Sequence, residues 1–207
     1  MGLWDYLLKG GPVMWLLLFC SVMTLTIFFE RLWTLRRSSI LPADLIGEIE
    51  RLARMGRLDD IEELLKRNQT SPICPIVMAA VKNAGLRREI IKDYMEEAGA
   101  RAAYAIDRNI DILGIIATIA PLLGLLGTVT GMITSFKALS MSGGVDTQLL
   151  SAGIAQALLN TAAGLFIAIP SYVFYRLMQA RSSHLIYEME KTSARILDYL
   201  RGDSGEV

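Results

Sequence analysis

Three stretches of the chain carry no charged side chain: Gly10 to Phe29, Ile112 to Phe136 and Thr147 to Tyr175. A helix needs about 20 apolar residues to cross the hydrocarbon core of a bilayer, and each stretch is long enough. Elsewhere the pattern is amphipathic. Leu45, Ile46, Ile49 and Leu52 recur near the 3.6-residue period and predict a helix over Asp44 to Met55. A second is expected over Leu58 to Lys66, with Asp59, Asp60, Glu62 and Glu63 in its first turns, where the helix dipole favours acids. Ser71-Pro72 and Cys74-Pro75 mark a break, after which Pro75 to Asn83 reads as helix. No proline follows Leu86 until Pro121, which predicts one long helix from Leu86 to Phe136. The third apolar stretch likewise continues into a striped extension through Ile186, Met189, Ile196, Leu197 and Leu200, expected to end near Gly202.

The expected layout is all-α: three transmembrane helices, two of them extended far into the cytoplasm. An amphipathic helix at the outer surface covers residues 1–9, and the spans cover 10–29, 112–136 and 147–175. A cytoplasmic helical region occupies 30–111, an outer loop 137–146, and a helical extension with a tail 176–207.

The spans differ in character. The first is the most uniformly apolar and reads as a helix able to face lipid all round. In the second, Ala117, Pro121, Gly124, Thr128, Gly131 and Ser135 form a stripe of small or weakly polar residues. The third repeats this with Thr161, Gly164, Ala168 and Ser171, and adds Gln156 and Asn160. Two readings are open. Small stripes let membrane helices pack closely, and a threonine can bond back to its own helix. Alternatively, part of the stripe, Thr128 above all, lines a polar path. Gln156 and Asn160, four residues apart, share a face and can form a polar patch.

Charge counts are balanced, with 21 Lys plus Arg against 21 Asp plus Glu, so overall charge gives no reason to expect nucleic acid as a partner. The distribution is more telling. Arg31, Arg36, Arg37, Arg101, Arg108, Arg176, Arg181 and Lys191 flank one side of the spans, and only Lys9 and Lys137 the other. The positive-inside rule then puts the N-terminus outside and the C-terminus in the cytoplasm. Met1 to Tyr6 has no Lys or Arg and no cleavage site follows the apolar run, so the first span is expected to stay in the protein. Cys20 and Cys74 fall in different compartments and match no metal spacing. No nucleophile–base set or phosphate loop points to an enzyme, and no cofactor is expected. The second and third spans also lack Asp, Glu, Lys, Arg and His. A hydroxyl or amide cannot reversibly hold a proton near neutral pH, so any proton crossing here needs a titrating group from another chain.

Four features carry a resemblance. They are Glu30-Arg31-Leu32 at the end of the first span, and Ile110-Asp111-Ile112-Leu113 leading to APLLGLLGTVTGMITSF (Ala120 to Phe136). The others are GIAQALLNTAAGLFIAIP (Gly153 to Pro170) and the three-span layout with its large insertion. The chain resembles the MotA/TolQ/ExbB proton-channel family, in its ExbB/TolQ branch. The resemblance implies a homopentamer in the bacterial inner membrane, around a single-span partner of ExbD/TolR type whose Asp carries the proton. It also implies work delivered across the periplasm to a TonB- or TolA-like protein. Thr128 and Thr161 fall at the family's two pore threonines, with Ser135, Gln156 and Asn160 as further pathway candidates. Pro121, Gly127 and Pro170 match the family's framework positions, and Gly124, Gly131 and Gly164 of the stripes join them as helix-packing positions. Gln156 departs from the pattern, because the family usually has Glu there. A non-conducting scaffold ring or a sodium-driven variant are the alternatives to a proton-driven motor.

Overall fold

The computed structural model describes residues 10–141 and 147–201. The expected outer-surface helix at 1–9, the second half of the expected outer loop (142–146) and residues 202–207 of the tail lie outside them. The described residues form eight helices and no strand: α1 (Pro12–Thr34), α2 (Arg37–Ile40), α3 (Ala43–Arg54), α4 (Leu58–Arg67), α5 (Ile73–Lys82), α6 (Arg88–Asp107), α7 (Ile110–Met141) and α8 (Thr147–Arg201). Three of them, α1, α7 and α8, are long and apolar enough to cross a membrane.

Two compact units divide the chain: residues up to Glu30 with Asn109–Leu177, and Arg31–Arg108 with residues from Met178 on. The first holds the apolar helices. In it α1 is not apolar on all sides in its packing, contrary to expectation. Val13, Met14, Leu17, Thr24 and Ile27 are buried, while Trp15, Leu16, Phe19, Val22, Leu25 and Phe29 are exposed. Leu17 packs with Ala120 of α7 and Ala168 of α8, and Phe28 stacks on Phe174 at 3.9 Å. Buried Thr24 meets Ser171 in a hydrogen bond of 2.8 Å. An apolar surface alone could not signal this face, and Thr24 does not stand out in the sequence from Ser21 and Thr26 beside it.

The second unit is built on amphipathic faces. Ile49 of α3, Ile61 and Leu65 of α4, Ile73 and Val77 of α5, Ile91 of α6 and Met189 and Ile196 of α8 are essentially inaccessible. α5 starts two residues before Pro75, because a proline in the first helical turn gives up an N–H that has no partner in the helix anyway. Charge-assisted bonds fasten the end of α8 to its neighbours: Arg37 to Glu188 at 2.8 Å, Arg88 to Asp198 at 2.6 Å and Arg195 to Glu50 at 2.7 Å. The Arg54 guanidinium lies 4.3 Å from the centre of the Tyr199 ring and donates to its hydroxyl at 2.8 Å. Arg31, counted above among the flanking basic residues, is only 2% exposed and donates to the Ile106 carbonyl at 3.2 Å.

The single helix expected from Leu86 to Phe136 is two helices. α6 ends at Asp107 and α7 starts at Ile110. Between them Arg108 is extended (φ −48°, ψ 139°) and Asn109 is left-handed (φ 65°). Asparagine tolerates that conformation better than other residues with a Cβ, so Asn109 was the available signal. The helical end of the second span also reaches further than expected, through Met141 rather than Phe136.

Candidate functional site

The two small-residue stripes face each other. Where they meet, the buried positions are Ala120, Gly124, Gly127, Gly131 and Ser135 of α7 and Gly153, Ala157, Asn160, Gly164 and Ala168 of α8. The pairing runs in opposite senses. A Cβ placed on Gly164 would lie 2.6 Å from the Ala120 carbonyl oxygen, and one on Gly124 would lie 2.9 Å from the Asn160 carbonyl oxygen. Further along, Gly131 approaches Ala157, and Ser135 fills the space beside Gly153. The atoms met at Gly124 and Gly164 are backbone and cannot rotate away, so only glycine allows this approach. Pro121 and Pro170 lie inside continuous helices and are half-buried.

At Gly127 the contact is with a side chain. A Cβ there would stand 2.5 Å from the Asn160 Cβ and 2.7 Å from its Cγ and Nδ2. Asn160 is 1% exposed, and its Nδ2 donates to the Gly10 carbonyl at 3.0 Å. Gln156 approaches the same turn: its Nε2 would be 2.9 Å from a Cβ on Gly11, whose φ is +72°. Both amides therefore gather at the Gly10–Gly11 turn before α1.

The threonines lie elsewhere. Each helix advances about 100° per residue, and in an antiparallel pair the residues following two facing positions turn to the same side. Thr128 follows Gly127 and Thr161 follows Asn160, so both emerge on one side of the α7–α8 pair, half-buried. Gln156, four residues before Asn160, turns about 40° the other way. The four polar residues noted in the sequence thus separate into a threonine side and an amide side.

Hydroxyl geometry sharpens the chemistry. Thr128 Oγ1 donates to the Leu125 carbonyl at 2.7 Å, and Ser135 Oγ to Gly131 at 2.9 Å. Thr118, Thr130 and Thr134 bond back in the same way. A hydroxyl whose one proton is used internally keeps its acceptor lone pairs. Thr128 is therefore set to accept a hydrogen bond rather than give one. Between Ile112 and Phe136, and between Thr147 and Tyr175, there is no Asp, Glu, Lys, Arg or His.

Residues 68–191 match the MotA/TolQ/ExbB proton channel family. The chain is 32% identical over 182 residues to the Putative biopolymer transport protein ExbB-like 1 of Synechocystis, covering 86% of this chain and 71% of that one. It is 26% identical over 197 residues to the Biopolymer transport protein exbB1 of Vibrio cholerae, covering 93% and 86%. Similarity to the Tol-Pal system protein TolQ of Haemophilus influenzae is 37% over 87 residues, covering 42% of this chain and 38% of that one.

Proposed function

The chain belongs to the MotA/TolQ/ExbB proton channel family, and on that premise we propose that this multi-pass membrane protein is the ring subunit of a proton-driven motor of the biopolymer-transport type. Five copies surround a single-span partner of ExbD/TolR type in the bacterial inner membrane, with the N-terminus outside. An Asp in the partner's span carries the proton. Thr128 and Thr161 meet it, and the motion is passed across the periplasm to a TonB- or TolA-like protein.

The observation that carries this reading is a pair of threonines on one side of two spans that contain no Asp, Glu, Lys, Arg or His. The chain supplies hydroxyls and needs an acid from elsewhere. Thr128, with its proton committed to Leu125, offers lone pairs that suit a protonated, neutral carboxyl. That form crosses a low-dielectric path at far smaller cost than the carboxylate. A charge crossing the full potential releases about 2.3 kcal/mol per 100 mV, enough for a few protons to drive a mechanical step.

Gln156 favours a second reading, a scaffold ring that holds its partner without conducting, because an amide does not titrate. A sodium-driven variant uses the same hydroxyls and carbonyls as ligands. The test is co-purification with the single-span partner, the mass of the intact complex, and ion flux in liposomes. A 5:2 complex with proton flux that vanishes on the partner's Asp→Asn exchange is expected. A well-formed complex that passes no protons replaces the motor with the scaffold, or with the sodium variant if Na⁺ crosses.

A further inference from the structure

Asn160 is buried against Gly127, and its Nδ2 is tied to the Gly10 carbonyl. Its Oδ1 is buried and finds no hydrogen-bond donor among the described residues. A buried, half-satisfied amide costs free energy, so its place is not explained by hydrogen bonding alone. Its shape explains more. The side chain is a knob that fits a notch only glycine leaves, and the Gly10 bond keeps it seated. Above this point α7 and α8 touch backbone to backbone at Gly124 and Gly164. Those smooth contacts set the distance between the helices but resist rotation weakly, since neither side has a side chain to interlock.

We infer that the Gly127–Asn160 contact is a rotational key of this helix pair at the level of the threonines, with Ser135 against Gly153 a second interlock further along: it fixes the angular setting of α8 against α7 there and thereby keeps Thr128 and Thr161 on one side. Asn160 is on this account a positioning residue, not a group that meets the proton. It acts through the residue that follows it, as Gly127 does. The inference rests on the proposed proton path only for what the two threonines do once aligned.

A methyl group on Gly127 tests it. Opening 2.5 Å to an ordinary carbon–carbon separation of about 3.5 Å displaces the helices by about 1 Å. Misplacement of that size costs on the order of 100-fold where reacting groups must be aligned. In the full chain with Cys20 and Cys74 replaced by serine, Thr128→Cys and Thr161→Cys are expected to be joined by a short bifunctional thiol reagent. Gly127→Ala abolishes that cross-link, and Gly127→Ala with Asn160→Gly restores it by removing the knob, its Cβ included. In chains that keep both threonines, proton flux with the partner falls with Gly127→Ala and returns in the double variant. A cross-link unaffected by Gly127→Ala, or not restored in the double variant, overturns the key. Restored cross-linking without restored flux overturns the positioning role. If the parent chain carries no flux, the proposed function falls, and the cross-link pattern still decides whether the contact sets the rotation.

Discussion

The Thr24 and Ser171 hydroxyls meet at 2.8 Å in a buried bond between the first and third spans. Ser171 also donates to the Ile167 carbonyl at 2.7 Å, which commits its one proton and makes Thr24 the donor between them. Such bonds in membrane proteins average about 0.6 kcal/mol because the alternatives also find partners. Thr24→Val and Ser171→Ala are each expected to lower stability by up to about 1 kcal/mol, with a coupling near 0.6 kcal/mol in a double-mutant cycle. Unfolding in mixed micelles measures it; strictly additive losses would show that the bond contributes nothing.

Gly164 faces a harder constraint. A Cβ there would lie 2.6 Å from the Ala120 carbonyl oxygen and 3.1 Å from the Gly124 Cα. Backbone cannot step aside, so Gly164→Ala forces the helices apart. A loss of about 1–3 kcal/mol is expected, read as a lower melting temperature. Gly47, with open space around its Cβ position, is the control: Gly47→Ala in the exposed face of α3 is expected to be neutral or stabilising.

Much of this organisation was legible beforehand. The three charge-free runs became α1, α7 and α8, and Leu45, Ile49 and Leu52 became the buried face of α3. What escaped was relational. Small residues mark a stripe but do not say which helix it meets, so Gly124 and Gly164 could not be paired, and Gly127 could not be matched to Asn160. The amides at 156 and 160 share a face with each other, and only the fold shows that the Gly10–Gly11 turn lies beneath them. The break at Asn109 carries no proline to mark it; a single left-handed asparagine ends the helix just as well.

Cys74 is buried, and its thiol donates to the Asn68 carbonyl at 3.0 Å. Burial pushes its pKa up, which leaves little thiolate at neutral pH. Mass spectrometry after brief alkylation of the folded protein is expected to find Cys74 unmodified, and modified once the protein is unfolded. Rapid labelling of the folded chain would contradict its burial.

Glu188 is held below the ordinary carboxylate range, first by its hydrogen bond from Arg37 and also by the charges of Arg37 and Lys191. A carboxylate lowered in the folded state stabilises above its unfolded pKa, and the contribution fades as pH falls through the lowered folded value. Melting temperature against pH is therefore expected to separate the parent chain from Glu188→Gln at neutral pH and to bring the two together in acid. A gap that persists or widens in acid would contradict the Arg37 pairing.

On the proposed function, a partner's acid carries protons past Thr128 and Thr161. Proton flux into liposomes under an imposed pH gradient, with the partner present, tests it most directly when the parent chain is compared with Thr161→Ala and Thr161→Ser. The expected result is flux in the parent, loss of most of it in the alanine variant, and recovery in serine, which keeps the hydroxyl. Equal flux in parent and alanine variants, from complexes of the same composition, would contradict it.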